Sequence, residues 1–230
     1  MVSGVRIRKL KETHTMTLHK ISLVKSAFIF GPNGSGKSNL FTVIKVLRSL
    51  LFNFESLNNV TQMKLPYQPF KLGEKKGEPT EFAISLLLDG QLFEYEVHYN
   101  EEQILFERFS KVIKTAKKDF FVRVFDLKTD EYHYKLALKK HAELIHYTRP
   151  NTAFLSILNV FNDSQAAKIF DWFIHKIIFL DESHRLSSHP LIRKLEDDGF
   201  KQEVIKRLKI ADFSIQDLTA RRVERKEKNT

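Results

Sequence analysis

A short glycine-rich stretch, FIFGPNGSGKSNLF at residues 28–41, places a lysine and a serine where a loop meets a helical pattern. Gly31, Gly36, Lys37 and Ser38 fit the pattern G-x-x-x-x-G-K-[ST] at every fixed position. Backbone N–H groups in such a loop turn inward around a β-phosphate, and glycine tolerates the φ angles and the close approach that this requires. The pattern therefore predicts a loop that cradles the phosphates of a nucleotide.

The residues of this loop have distinct expected roles. We expect the Lys37 ammonium to bridge the β- and γ-phosphates and the Ser38 hydroxyl to ligate Mg²⁺. The chain has no Asn-Lys-x-Asp motif that would read guanine, which argues against a GTPase. The expected nucleotide-binding residues form one continuous run, with Ser38 also the expected metal ligand: Gly31, Pro32, Asn33, Gly34, Ser35, Gly36, Lys37, Ser38 and Asn39.

The elements next to the loop are those that a phosphate loop needs. SAFIF, residues 26–30, is an apolar run of the kind found in a buried strand. From Lys37 the apolar residues follow the helical period, which predicts a helix to about Phe52 with its dipole directed at the phosphates. Residues 2–10 and Thr15–Leu18 are predicted to be two short strands. The apolar face of the predicted helix comprises Leu40, Ile44, Leu47 and Leu51.

A β-rich section follows a Pro/Gly-rich stretch at residues 66–79. EFAISLLL and QLFEYEVHY are joined by Asp89-Gly90, which suits a two-residue type I′ hairpin turn. ILFERF, FFVRVFDL and EYHYKL are predicted as further strands, and consecutive strands with short turns favour an antiparallel meander.

Helical patterns return after the meander. Residues 152–161 and 164–176 carry helical spacing, with Asp163 or Ser164 as the N-cap, and Pro190 to Lys209 predicts an amphipathic helix. IIFL at 177–180 and FSIQDLTARRVE near the end are predicted strands.

Together these elements predict an α/β fold. We expect one P-loop domain over residues 1–230, with a P-loop core at 1–65, an antiparallel β subdomain at 66–135, and a helical region with a final strand at 136–230. Trp172, with Phe170 and Phe173, is expected in the core.

Composition narrows the class of protein. The chain has 230 residues, of which 42% are hydrophobic, and it has no cysteine, which excludes disulfides and cysteine-ligated metals. The N-terminal MVSGVRIRKLKE lacks the apolar core of a signal peptide, and no window approaches the ~18 apolar residues of a membrane span, so we expect a soluble, cytoplasmic protein. The net charge of +10 leaves two interpretations open, contact with DNA or RNA and an ordinary basic surface.

Residues flanking the glycines suggest a narrower class. Pro32-Asn33 and Asn39-Leu40 make FGPNGSGKSNL similar to the loop of ABC-type ATPases of the SMC and RecF kind. The chain further resembles the N-terminal half of prokaryotic anti-phage ATPases, those of abortive-infection, retron and Septu systems. This wider resemblance lies in YQPFKL (67–72), EPTEFAISLLLDGQLFEYEVHY (78–99), ILFERF (104–109) and LKIADFSIQDL (208–218).

The resemblance implies more than the loop alone predicts. It implies a P-loop NTPase fold of the ABC-ATPase type, with two heads that dimerise around two ATP molecules. ATP-driven closure would then control an associated effector, a nuclease or toxin, in phage defence. The sequence shows no LSGGQ-like signature and no switch histidine, so we expect the C-terminal lobe to be absent from this chain.

The catalytic residues remain unassigned from the sequence. IIFLDES, residues 177–183, has the Walker B pattern, in which Asp181 would hold Mg²⁺ through water and Glu182 would orient the attacking water. An apolar strand that reaches solvent gives the same letters, and no signature segment precedes it. Gln68 is either a glutamine near Mg²⁺ and the attacking water or a surface residue.

Other motifs add no chemistry. The pairs His141/His146 and His184/His189 match no zinc pattern. Hydrolysis is expected to need a dimer and residues outside this chain. Two other functions stay open: a non-hydrolysing, nucleotide-gated scaffold for a nuclease or toxin, and an ATP-dependent nucleic-acid-binding regulator.

Overall fold

A computed structural model describes residues 8–18, 21–52, 64–68, 77–114, 116–179, 194–210 and 215–219. The chain divides into two compact units, Met1–Lys176 and Ile177–Thr230, and each is described by itself. Among the described residues, no helix is both long and apolar enough to cross a membrane.

The first unit begins with helix α1, Arg8–His14, and a two-stranded antiparallel hairpin of β1, Thr15–Leu18, and β2, Ile21–Val24. The strand predicted at Thr15–Leu18 is confirmed. Residues 8–10, predicted as strand, are helical instead, and residues 1–7 lie outside the described part. The segment RKLKETH is rich in Lys, Leu and Glu, which favour a helix more than the short alternation of VRIRKL favours a strand.

Helix α2, Lys37–Leu51, forms where the periodicity predicts it. Its C-terminal half is anchored, because Leu47, Leu50 and Leu51 are buried. The run SAFIF differs from its prediction: it forms no strand, and Phe28 and Phe30 are 82% and 88% exposed. A buried strand needs neighbouring strands at its edges, and within the described residues no strand pairs with residues 26–30.

The five-stranded meander is confirmed. Its strands pair antiparallel in chain order, and Asp89 and Gly90 both take positive φ angles, 48° and 72°, as a type I′ turn requires. The strands are β3 Thr80–Leu88, β4 Gln91–Tyr99, β5 Ile104–Ile113, β6 Ala116–Asp126 and β7 Glu131–Leu136.

One face of the meander packs against a helical layer. This layer contains a 3₁₀ helix at Lys139–Tyr147, α3 at Phe154–Val160 and α4 at Ser164–Asp171, which continues into a π-helical turn at Trp172–Lys176. The core between sheet and helices is aromatic, and the ring of Phe121 on β6 meets that of Phe154 edge-on at 4.9 Å.

A buried charged pair joins the two layers. The side chains of Glu107 on β5 and Arg123 on β6 are both fully buried, and Glu107 Oε2 lies 3.7 Å from Arg123 Nη1. The Glu107 carboxylate accepts hydrogen bonds from the backbone N–H groups of Phe154 and Leu155, at 2.7 and 3.0 Å. It therefore ties the first turn of α3 to the sheet, while Arg123 Nη1 donates to the carbonyl oxygen of Thr152 at 2.7 Å.

The second unit contributes helix α5, Asp198–Ile210, of which Ile205 is buried. Residues 177–179 and 215–219, each part of a predicted strand, form no strand. The remainder of both predicted strands lies outside the described residues. The described part of the chain is a mixed α/β structure with antiparallel sheets, and its fold class is consistent with the expected P-loop domain.

Candidate nucleotide-binding loop

The glycine-rich loop turns tightly just before α2. The backbone N–H of Ser35 donates to the carbonyl oxygen of Pro32 at 3.2 Å, and Gly34 and Gly36 take φ angles of 80° and 82°. Residues with a side chain rarely adopt this left-handed backbone conformation, so both positions favour glycine. A Cβ at Gly31 would lie 2.6 Å from Ser35 Oγ, so a larger residue there would force Ser35 to turn away.

Lys37 holds the two ends of the loop together. Its ammonium nitrogen, Nζ, donates hydrogen bonds of 2.6 and 2.7 Å to the carbonyl oxygens of Gly31 and Pro32. The lysine therefore folds back over the loop, and its charge lies beside the turn that the motif predicts will wrap a phosphate. A bound phosphate would offer this ammonium group negatively charged oxygen atoms, which are stronger acceptors than the neutral carbonyl oxygens.

The start of α2 suits an anion. Its N-cap is Gly36, whose lack of a side chain leaves the first backbone N–H groups without a side-chain cap, and the first turn has no acidic residue. From residue 26 to residue 52 the charged residues are Lys37, Lys45 and Arg48, and there is no carboxylate. The helix dipole and this charge distribution both favour a negatively charged ligand at the loop.

The loop is connected to the helical layer through α2. The buried C-terminal half of α2 fixes it to the helical layer, and the Phe52 ring lies 4.8 Å from that of Phe170. The half of α2 nearest the loop is exposed, since Leu40, Phe41 and Val43 are 41%, 57% and 39% accessible. The loop is accordingly accessible, and exposed apolar side chains follow it in the first half of α2.

The structure brings together the predicted loop residues, but not the other candidates. Asp181 and Glu182 lie outside the described residues, so their Walker B interpretation stays a prediction. Gln68 is exposed and has no hydrogen bond with any residue that the structure describes. Within the described ranges, no group of three His, Asp or Glu side chains is arranged to hold a metal ion.

His141, Phe170 and Phe173 are buried in the first unit, so their environment is that of packing residues. His141 is buried, and its Nε2 lies 3.3 Å from Asp163 Oδ2. Burial lowers the pKa of His141 below its usual value, although the Asp163 carboxylate opposes this shift. Phe170 and Phe173 are buried, as expected for core residues, whereas Trp172 is only half-buried. His146 is exposed.

One residue that supports the loop was missed by the sequence analysis. Ser156 is buried in α3, and its Oγ donates a 2.7 Å hydrogen bond to the carbonyl oxygen of Leu51, the last residue of α2. The only sequence sign of this role is a single hydroxyl in the apolar segment FLSILNV. Such a sign does not reveal the partner, which is distant in sequence.

Comparison with protein families supports the interpretation of the loop. The profile of the AAA domain family of the AbiEii toxin type, linked to type IV toxin–antitoxin (TA) systems, matches residues 26–226. No curated protein and no solved structure matches the chain. The predicted P-loop ATPase class is thereby confirmed at the level of the family. Since the match covers most of the chain and includes the loop, the chain belongs to the AbiEii toxin-type family of AAA domains, P-loop ATPase domains linked to toxin–antitoxin systems.

Proposed function

We propose that the chain binds ATP with Mg²⁺ at residues 31–39 and acts as the head of an ABC/SMC-like ATPase that controls an associated effector in anti-phage defence. One observation carries the proposal. The Lys37 ammonium is hydrogen-bonded to the carbonyl oxygens of Gly31 and Pro32, in a loop with two left-handed glycines that leads into α2. An ammonium held over such a turn is placed to exchange carbonyl oxygens for phosphate oxygens.

The groups present fit the triphosphate of ATP. The loop offers an ammonium and backbone N–H groups, all of them donors, and the loop and α2 contain no carboxylate that would repel the phosphates. In this proposal residues 33–36 supply the backbone cradle, Lys37 contacts the β- and γ-phosphates, and Ser38 ligates Mg²⁺. The metal, when bound, would neutralise the charge of the phosphate oxygens, and water and phosphate would complete its ligands.

Completion of the site by further polypeptide is part of the proposal. Phe28, Phe30 and Phe41 are more than half exposed, and the first two rings lie 6.3 Å apart in a stacked arrangement. Clusters of large exposed apolar side chains mark surfaces that are covered in the working assembly. We assign this cover to the second head of the proposed ATP-bound dimer. The association of two heads around ATP rests on the resemblance to ABC-type ATPases, and the link to a toxin rests on the family.

A light-scattering measurement of molar mass, with and without Mg·ATP, tests the proposal. The wild-type chain should double its mass with Mg·ATP, and Lys37→Ala should remain monomeric. Lys128→Ala removes an exposed lysine in a turn of the meander and should behave as wild type. A mass that ATP leaves unchanged in all three proteins would contradict dimerisation on ATP.

ATP turnover separates an ATPase from a non-hydrolysing scaffold. If Asp181 and Glu182 form a Walker B motif, Glu182→Gln should abolish turnover and retain ATP-dependent dimers. Dimers that form with ATP but never release phosphate would instead assign the scaffold function. Turnover that Glu182→Gln leaves unchanged would remove that glutamate from the mechanism.

A further inference from the structure

The antiparallel meander has two chemically different ends. Strands β3, β5 and β7 run in the same direction, so the Asp89–Gly90 turn, the turn after β5 and the chain after β7 all lie at one end of the sheet. Lysines concentrate there, and we call this region the basic end. The lysines that define it are Lys111, Lys114, Lys118, Lys139, Lys140 and Lys176.

The opposite end of the sheet is acidic. The turn between β4 and β5 contains Glu101 and Glu102, and the turn between β6 and β7 leads through Asp130 to Glu131. Lys128 is the lysine of that second turn. Positive and negative charges are therefore separated along the strands. An even distribution of the net charge of +10 over the chain would not produce one basic and one acidic end.

The positive charge of the basic end is not neutralised by nearby carboxylates. Lys111 on β5 lies directly opposite Lys118 on β6, and like charges in this position destabilise a sheet. Within the described residues, the side chains of the six lysines form no ion pair or hydrogen bond, although the hydrogen bond from Lys168 and, to a smaller extent, the charge of Lys176 lower the pKa of Asp89. The nearby Glu94 and Asp119 are already paired with Lys117 and Arg108, at 2.6 and 2.8 Å. The exposed carboxylates on this side of the chain are Glu143 in the 3₁₀ helix, Asp89, which pairs with Lys168 at 2.9 Å, and Asp171.

An aromatic side chain lies at the same end. A cavity of about 580 Å³ separates the β3–β4 turn from α4 and the π-helical turn. Leu88, Trp172 and Lys176 line it, together with the Asp89–Lys168 ion pair and Asp171. Trp172 is half-buried against Phe173, with ring centroids 5.0 Å apart, which leaves part of the indole open to the cavity. An open aromatic face beside lysines is the combination on which single-stranded nucleic acids bind, through stacked bases and neutralised phosphates.

We propose that the basic end of the meander binds the phosphate backbone of a nucleic acid, with Trp172 contacting a base. The separation of charge along the strands and the unpaired lysines favour a polyanion. The cavity beside Trp172 favours a nucleic acid, whose bases can stack on the indole, over a chain of carboxylates that has no rings. The surface is distinct from the loop at residues 31–39, and the proposal does not depend on ATP binding.

Fluorescence anisotropy with labelled oligonucleotides of ~30 nucleotides tests the proposal, using single-stranded DNA, single-stranded RNA and duplex DNA in separate titrations. The test variant is the triple substitution Lys114→Gln, Lys118→Gln and Lys139→Gln. The matched control is Lys128→Gln, Lys206→Gln and Lys209→Gln, which removes the same charge from exposed lysines elsewhere. All six side chains are exposed, and circular dichroism should show both variants folded.

We expect the wild-type chain and the control to bind at least one of the oligonucleotides, and the test variant to bind it at least ~10-fold more weakly. The slope of log affinity against log salt should become shallower by about 2 to 3 in the test variant, since each lost phosphate contact contributes ~0.7 to ~0.9. Trp172, the only tryptophan in the chain, should be quenched when single strands bind.

Three results of the oligonucleotide titrations would overturn the proposal: no oligonucleotide binding by the wild-type chain, equal loss in test variant and control, or Trp172 emission that saturating single strands leave unchanged. Poly-glutamate serves as the competing acidic partner. If it displaces the oligonucleotide at equal charge concentration, the surface recognises acidic chains in general and the assignment to nucleic acid is wrong.

Discussion

The hydroxyl of Ser156 donates a hydrogen bond of 2.7 Å to the carbonyl oxygen of Leu51, and this bond joins the end of the phosphate-loop helix to α3. The first turn of α3 is in turn held by Glu107 on the meander. A continuous set of buried contacts therefore runs from α2 through α3 to the sheet. The contacts define how the phosphate loop is mounted, and they can be tested one at a time.

Removal of the Ser156 hydroxyl should destabilise the first unit. Ser156→Ala leaves the Leu51 carbonyl oxygen buried without this donor, which should lower the free energy of unfolding by about 1 to 3 kcal/mol. Urea unfolding followed by Trp172 fluorescence measures this value. Ser164→Ala, at an exposed position in the first turn of α4, is the control and should cost less. Equal losses in the two variants would show that the bond to Leu51 contributes nothing specific.

The Arg123 guanidinium should be essential to the buried pair. Arg123→Met leaves the Glu107 carboxylate buried without its opposite charge, and we expect a loss of about 3 to 5 kcal/mol at neutral pH. Burial already raises the pKa of Glu107, whereas Arg123 lowers it, so the substitution should raise that pKa further. A carboxyl group whose folded-state pKa is raised is stabilising when protonated, and its contribution is lost as pH rises through that pKa.

The pH dependence of this loss is the decisive measurement. The difference in unfolding free energy between wild type and Arg123→Met should narrow as the pH falls from 7 towards 5, because Glu107 in the variant then takes up a proton. A difference that stays constant over this range would indicate that Arg123 contributes packing rather than charge.

His141 should make the helical layer sensitive to acid. Its pKa is lowered by burial, so the folded state favours the neutral ring and the unfolded state binds the proton more readily. Its contribution to stability is complete above the unfolded pKa of about 6.5 and is lost as the pH falls towards the lower folded-state pKa. Unfolding free energies of wild type and His141→Gln should therefore converge, or reverse order, between about pH 7 and about pH 5. A wild-type advantage that grows at acid pH would show that pairing with Asp163 outweighs burial.

Local patterns in the sequence were sufficient to predict much of this fold. Helix α2 follows its apolar period, and Asp163 accepts hydrogen bonds from the N–H groups of Gln165 and Ala166, as expected of an N-cap. The Asp89-Gly90 pair predicted the β3–β4 hairpin, and the short turns between the later strands predicted that each pairs antiparallel with the next. Each of these predictions depends on residues that are close together in the chain.

The predictions that differ from the structure depend on distant neighbours. SAFIF has the composition of a buried strand, but composition does not supply the strands beside it, and Phe30 is 88% exposed. Glu107 was unremarked in ILFERF because its buried partners, Arg123 and the start of α3, are far away in sequence. For the candidate site, the motif predicted the loop and its left-handed glycines. The Ser156 support depends on the packing of α3 against α2, and the basic end depends on the pairing of the strands, so neither could be predicted from local sequence.

The central claim is that the loop at residues 31–39 binds the triphosphate of ATP through Lys37, and an equilibrium titration with Mg·ATP tests it most directly. Isothermal calorimetry on wild type, Lys37→Ala and the Lys128→Ala control should give a loss of affinity of at least ~10-fold for Lys37→Ala alone, the equivalent of about 1.4 kcal/mol. Equal ATP affinity in wild type and Lys37→Ala, or no heat of binding in any of the proteins, would contradict the account.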